Sequence, residues 1–150
     1  ISSQQDHMQG SCSENLNAVE ELAEIAGCIT YMLGEYSAVT EYDLKKYYPE
    51  MYVRIREIRR ERMHKFIHDN LTKGKAEGLY RENLNVDIVS KISVSHIDSL
   101  FESEVLTLSE FLDKRFLFEF FIYHLRGIAN EKGLEILEHQ LQKLDSIKLG

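Results

Sequence analysis

The amino-acid sequence predicts an all-α protein, arranged as an antiparallel bundle of five substantial helices and one short helix. Apolar residues recur along the chain at alternating spacings of three and four, which is the period of an amphipathic helix. The 150 residues include a single proline, and no run alternates apolar and polar side chains as a half-buried strand does. The composition is that of one globular domain rather than of a fibrous or disordered chain.

The first predicted helix follows a polar lead-in. Residues 1–13 lack periodicity, so we expect them to be a loose lead-in or the remnant of a preceding helix, with one domain over residues 14–150. A helix is predicted from Asn15 to Gly34 because five apolar residues fall on one stripe of it: Val19, Leu22, Ala26, Ile29 and Leu33. A short helix is predicted from Glu41 to Tyr47, closed by Pro49.

The remaining four predicted helices begin or end at residues with known capping preferences. The longest runs from Pro49 to about Glu77 and stops at Gly78, which suits a left-handed cap. The next begins at the N-cap residue Asn85 and reaches about Phe101. A third begins at Thr107 or Ser109 and ends at Gly127, and the last runs from Asn130 to about Lys148.

The composition also indicates the compartment and the class of partner. No stretch approaches the ~20 apolar residues that a membrane span needs, and the start lacks a signal-peptide pattern, so we expect a cytoplasmic protein with no membrane partner. Cys12 and Cys28 are expected to be free thiols. The formal net charge of −7 opposes binding to nucleic acid. Because the chain begins at Ile1 rather than methionine, we expect that an upstream segment was removed.

The last two predicted helices carry surfaces that favour association of two copies of the chain. Residues 116–123 read FLFEFFIY, and a helix with apolar side chains in every direction must be covered on all sides. The last helix adds a leucine stripe spaced three, four and three. We therefore expect a homodimer, with a central core helix of one chain as the alternative. The expected interface residues are Phe118, Phe121, Leu125, Leu134, Leu137, Leu141 and Leu144.

Two arginines of the long helix are candidates for binding a ligand. At about 100° per residue, Arg59 and Arg62 rotate onto the side that also carries apolar residues, where a charge must be paired. The pairing partner is either an internal carboxylate, for which Asp98 and Glu119 are the candidates, or an acidic ligand. The predicted ligand-binding residues are Arg59, Arg62, Met63, Phe66 and His96. A hydrogen-bonded core histidine is the alternative for His96.

The opposite face of the long helix carries a possible metal-binding pattern. Glu61 and His64 have the Glu-x-x-His spacing of di-iron helix bundles, and Glu57 and His68 lie on the same face. A second Glu-x-x-His is missing from the sequence, so we interpret this face as exposed and polar, with no metal and no cofactor. Motifs of catalysis or of nucleotide binding are also missing, so we expect a protein that is not an enzyme.

Two stretches of the sequence resemble TetR-family transcriptional regulators, particularly the Bacteroidetes-type members. They are DLKKYYPEMYVRIREIRRERMHKFIHDNLTKGKAEGLYR, from Asp43 to Arg81, and FFIYHLRGIANEKGLEIL, from Phe120 to Leu137. The order of the helices around them also fits. The resemblance implies a helical effector domain in which the first, the long and the fourth helices enclose a pocket and the last two form a dimer bundle. The family's DNA-reading helix-turn-helix has no counterpart before Asn15.

The predicted function follows from this resemblance. We expect a ligand-binding and dimerisation domain of a repressor, which senses an unknown small molecule and controls DNA binding by a separate N-terminal domain. Two other functions stay open at this stage. One is a helical metal-binding bundle or enzyme that uses Glu61 and His64, and the other is a pure protein-interaction module.

Overall fold

A computed structural model describes the backbone of residues 15–34, 38–100, 104–111 and 113–149. Within these ranges it describes every side chain except those of residues 27–34, 38–40, 108, 111, 114 and 144–149. The predicted lead-in over residues 1–13, both cysteine side chains and the side chain of Leu144 therefore lie outside the described residues.

The all-α fold class is confirmed. The described residues form seven helices and no β-strand, with a single isolated bridge between Tyr80 and Ala129. The helices are α1 (Ala18–Gly34), α2 (Ala38–Tyr47), α3 (Pro49–Ala76), α4 (Val86–Leu100), α5 (Leu108–Phe111), α6 (Lys114–Ile128) and α7 (Glu131–Leu149). Helix α1 packs against α3, α6 and α7, while α4 packs along α3.

The helix predicted from Thr107 or Ser109 to Gly127 is in fact two helices, α5 and α6. Thr107 and Glu110 cap the four-residue α5 reciprocally, because the Thr107 hydroxyl accepts from the Glu110 N–H at 3.2 Å and also donates to its carboxylate at 3.0 Å. Asp113 then adopts an extended backbone and its carboxylate accepts from the Arg115 N–H at 2.8 Å, so that it caps a new helix. A local cap thus interrupts the apolar periodicity on which the prediction was based.

The turn after α3 is joined to the turn between α6 and α7. Gly78 has a φ of 73°, which confirms it as the left-handed residue that ends the long helix. The Arg81 N–H donates to the Ile128 carbonyl and the Asn130 N–H donates to the Leu79 carbonyl, both at 2.9 Å. The Asn130 amide also donates to the Gly78 carbonyl at 2.7 Å. These bonds fix the end of α3 relative to the start of α7.

A buried polar network connects α1 to the C-terminal half of α3. The fully buried Tyr80 hydroxyl donates to Asn70 Oδ1 at 2.6 Å, and the Asn70 amide donates to the Ala18 carbonyl at 3.0 Å. Lys73 pairs with Glu21 at 2.8 Å beside them. Burial, together with the nearby carboxylates, raises the pKa of Tyr80 far above its usual range, so the phenol keeps its proton. Each buried polar atom named here has a partner, as a stable interior requires.

The core lies around this network and draws on both halves of the chain. Its buried apolar residues are Ala18, Val19, Leu22, Ile67, Leu71, Leu79, Tyr80, Leu84, Val94, Leu125, Ile128, Ala129 and Leu137. The buried residues of α3 all lie in its C-terminal half: Ile67, Asn70, Leu71 and Gly74. The N-terminal half of α3 is therefore left to form a more open contact with α2 and α4.

Candidate ligand site between helices α3 and α4

A narrow cleft lies where the N-terminal half of α3 faces the C-terminal half of α4. We call it the arginine cleft, and its lining residues are Glu41, Arg56, Arg59, Arg60, Met63, Val94 and Asp98. The volume at its base is about 10 Å³, which is close to the smallest volume that holds one water molecule. Val94 is buried and Met63 is half-buried, so the cleft has an apolar base beneath its charged rim.

Asp98 bridges two of the arginines across the cleft. Its Oδ1 accepts from Arg56 Nη2 at 3.2 Å, and its Oδ2 accepts from Arg60 Nη2 at 3.0 Å. The side chains of Arg56 and Asp98 are 20% and 32% exposed, so this pair is partly shielded from solvent and from screening by salt. Arg56 and Arg60 are four residues apart on one helix, a spacing that places neighbouring side chains on the same face.

Glu41, which lines the cleft from α2, contacts Tyr52 beside the cleft. Tyr52 donates to Glu41 Oε1 at 3.5 Å, and the Arg56 guanidinium carbon lies 5.8 Å from the centre of the Tyr52 ring. That distance is within the range of a cation–π contact. Glu41 Oε2 is buried, and no described residue donates a hydrogen bond to it.

Among the described residues that line the arginine cleft, three carry guanidinium groups and two, Glu41 and Asp98, carry carboxylates. Guanidinium groups hold a carboxylate or phosphate through two parallel hydrogen bonds, which adds geometric selection to the charge attraction. The combination of paired arginines with an apolar base is therefore suited to a small molecule that carries an acid group on an apolar body.

The structure brings together only part of the predicted ligand-binding set. Arg59 and Met63 line the cleft, whereas Arg62 is exposed outside it and Phe66 packs against the core. His96 is exposed and lies outside the cleft, so it is neither a lining residue nor the core histidine given as its alternative. The inner face of α4 carries small residues in its place, with Ser90, Ser93 and Val94 buried.

Arg56 and Arg60 were missed by the sequence reasoning, which also placed Arg62 too far inward. The buried face of α3 passes through Ile67, and stepping back from it by four, seven and eleven residues gives Met63, Arg60 and Arg56. These steps follow the helical period, so the signal was present once the deepest residue was known. Asp98, which the sequence analysis named as a possible partner of Arg59 and Arg62, forms ion pairs with Arg56 and Arg60.

Two histidines of α3 contact α4 toward the N-terminal end of α4. His64 Nε2 lies 3.3 Å from Ser90 Oγ, and His68 Nε2 lies 2.9 Å from Asp87 Oδ1. The prediction that these two histidines belong to an exposed face is therefore wrong, although Glu57 and Glu61 are exposed as expected. Within the described ranges, no three histidine, cysteine or acidic side chains converge as metal ligands would.

His124 of α6 forms a further polar contact with α4, and the sequence reasoning gave it no role. Its Nδ1 lies 3.5 Å from Ser93 Oγ, whose hydroxyl donates to the Val89 carbonyl at 2.9 Å. Burial, together with the nearby charge of His96, lowers the pKa of His124 to about 4. The ring is therefore neutral at physiological pH.

The predicted dimer residues divide into two groups. Leu125 and Leu137 are buried within the core of a single chain, and Leu134 and Leu141 pack against that core. The assignment of Leu125 and Leu137 to a contact between chains is wrong because α1 covers this side of α6 and α7. Phe118 is 37% exposed, Phe121 is half-buried, and the side chain of Leu144 lies outside the described residues.

Comparison of the chain with models of known protein families, with characterised proteins and with solved structures found no match. None of the helices in the described part of the chain has the length and apolar character that crossing a membrane requires.

Proposed function

We propose that this chain is a regulatory domain of TetR type, which binds a small acidic molecule in the arginine cleft. The observation that carries the proposal is the cleft itself, where Arg56, Arg59 and Arg60 surround an apolar base formed by Met63 and Val94. The acid group of the ligand would pair with the guanidinium groups, and its apolar body would contact the base. The resemblance of residues 43–81 to such regulators supports the proposal, because that stretch includes the whole of α3.

The position of the cleft suits a regulatory role. It lies between two helices that pack along each other, α3 and α4, so a molecule that enters it must change their separation. A ligand shifts the equilibrium between two arrangements by the difference in its affinity for them. A separate DNA-binding domain would then respond to the orientation that the helices adopt.

The proposal is tested with benzoate, which has a carboxylate on a flat apolar ring, and with benzamide as its neutral analogue. Benzoate is expected to bind with a dissociation constant on the order of a millimolar, the usual affinity of a small fragment, whereas benzamide is not expected to bind. Isothermal titration calorimetry, or the changes in amide chemical shifts on titration, would measure the affinity for each compound. The variant Arg60→Gln should weaken benzoate binding at least ~5-fold, because one of the paired charges is lost.

The matched control is Arg54→Gln. Arg54 lies on the same helix, and its side chain is 69% exposed and pairs with Glu57 outside the cleft. This variant should bind benzoate as the parent does. The proposal fails if the parent binds neither compound, or if benzoate and benzamide bind equally well.

The same proposal includes a homodimer that uses the outer face of α6. Tyr123 is 77% exposed there, and Phe118 lies on the same helix with a partly exposed ring. Large aromatic side chains are enriched at interfaces between proteins. Light scattering should give twice the chain mass for the parent, and Phe118→Glu together with Tyr123→Glu should give the monomer. The control pair Ile88→Glu and Ile92→Glu removes exposed apolar residues from α4 and should leave the mass unchanged.

A further inference from the structure

We propose that Asp98 occupies the position on Arg56 and Arg60 that the acid group of a ligand takes, so that a ligand binds by displacing it. This inference rests on the proposed function and adds how binding at the arginine cleft is converted into movement. Asp98 would compete with the ligand for the two arginines and so weaken the affinity of the ligand. Because Asp98 belongs to α4, its displacement would transmit ligand binding to that helix.

Asp98 forms a bridge between two guanidinium groups of α3. Asp98 uses one oxygen for each guanidinium group, at 3.2 Å from Arg56 and 3.0 Å from Arg60. A free carboxylate or phosphate has the same pair of oxygens and can therefore take the same position. Two acid groups cannot share it, because like charges at that separation repel strongly in a partly shielded cleft.

The size of the cleft limits what can enter it. The volume of about 10 Å³ at its base does not admit a molecule larger than water while the bridge is formed. A larger acid can reach the Met63 and Val94 base only if a lining side chain moves. Asp98 is the lining residue that closes the cleft from α4 on the charged side, and its departure would be compensated by the charge of the incoming acid.

Asp98 also contributes to the contact between α4 and α3. His64 with Ser90 and His68 with Asp87 form polar contacts between α3 and α4 toward the N-terminal end of α4. In the C-terminal half of α4, the Asp98 bridge to α3 adds to the apolar packing of Val94 and Ile97 against the core. Displacement of Asp98 would therefore remove a charged contact from that half of α4 and favour its local opening, while the polar contacts of the N-terminal half stay in place.

The test compares Asp98→Asn with the parent chain, with benzoate as the probe. Asparagine keeps the size of the side chain but removes the competing charge, so benzoate is expected to bind the variant about five-fold more tightly. The control is Asp87→Asn, which removes an exposed carboxylate from the same helix outside the cleft. Its affinity for benzoate should equal that of the parent.

Hydrogen exchange supplies a second measurement that a merely structural role of Asp98 would not reproduce. In the parent, saturating benzoate should increase amide exchange over residues 95–100 and leave residues 86–92 unchanged. In Asp98→Asn, exchange over residues 95–100 should be raised before benzoate is added and should not rise further. If benzoate slows exchange over residues 95–100 in the parent, the ligand does not displace Asp98.

The outcomes separate this inference from the proposed function. If benzoate binds neither the parent nor Asp98→Asn, both the acid-binding function and the displacement are overturned. If benzoate binds the parent, but binds Asp98→Asn with equal or lower affinity, the function stands and the competitor role of Asp98 is overturned. Tighter binding to Asp98→Asn, together with raised exchange at the end of α4, supports both.

Discussion

The ring of Tyr80 lies directly against the backbone of Gly74, with no room between them for a β-carbon. The Gly74 carbonyl accepts from the N–H groups of both Leu79 and Tyr80, so the chain turns back closely over this glycine. A methyl group at position 74 would overlap a fully buried ring that cannot move without breaking its bond to Asn70. The end of α3 is thus fixed by the absence of a side chain.

We expect Gly74→Ala to destabilise the protein by about 3 kcal/mol, the upper part of the usual range for overpacking a core. The matched control is Gly127→Ala, because no atom lies within 4 Å of a β-carbon at that position of α6. The control should be neutral or more stable by up to about 1 kcal/mol, since alanine favours a helix over glycine. Urea unfolding of both variants measures the difference, and equal stabilities would show that the close contact is not present.

Tyr80→Phe should cost about 1 to 3 kcal/mol of unfolding free energy. The substitution keeps the ring but removes the hydroxyl that donates to Asn70 Oδ1, and it leaves that buried oxygen without its donor. Tyr123→Phe is the control, because the Tyr123 side chain is 77% exposed and water satisfies its hydroxyl in both states. A loss of stability in Tyr123→Phe as large as that in Tyr80→Phe would contradict this assignment.

The protein should lose stability as the pH falls through the range in which His124 titrates. The folded-state pKa of about 4 lies below the ordinary value of 6.5, so the unfolded chain binds the proton more readily between these values. The contribution of His124 is therefore constant above about pH 7, and it decreases by about 3 kcal/mol between pH 6.5 and pH 4.

His124→Gln isolates this contribution, because glutamine stays neutral while the carboxylates titrate as before. The difference in unfolding free energy between parent and variant should change over pH 6.5 to 4. An NMR titration gives an independent reading. A ring of His124 that titrates near pH 6.5 would rule out the burial described for it.

Leu137→Ala should unfold the chain rather than dissociate two chains. Leu137 is 3% exposed and belongs to the core, so its truncation should cost about 2 to 5 kcal/mol. That loss should be the same at every protein concentration, because the contacts lie within one chain. Phe118→Ala, on the outer face of α6, should by contrast lose stability in a way that depends on concentration if the proposed dimer forms.

The helices that could be predicted are those with continuous periodicity and a recognisable end. Gly78 ends α3 as predicted, because glycine readily adopts the positive φ that this position requires. Asn130 begins α7 as predicted, because its side-chain oxygen accepts a hydrogen bond from the Gly133 N–H in the first turn. The break at Asp113 could not be predicted from apolar spacing, because the phenylalanines on either side continue the pattern. There the N-cap bond overrides the hydrophobic period.

The candidate site was only partly predictable for a different reason. The sequence showed that arginines had to lie on the apolar side of α3, but the rotation of that side is set by the deepest contact, at Ile67 and Leu71. Those contacts form with other helices and are not visible in the local pattern. The leucine stripe of α7 was ambiguous for the same reason. Such a stripe shows that α7 packs against another helix, but it does not show which helix that is. In this chain α1 is the partner.

The buried residues of the long helix α3 are confined to its C-terminal half, between Ile67 and Gly74. Arg56 is about 22 Å from the middle of that segment along the axis, at 1.5 Å per residue. A rotation of about 5° around the anchored segment would carry Arg56 through roughly 2 Å, a displacement comparable to the helix shifts seen in switching proteins. A rotation of α3 that is too small to disturb the core therefore produces a larger displacement at the other end of the helix, where Arg56 and Arg60 contact α4.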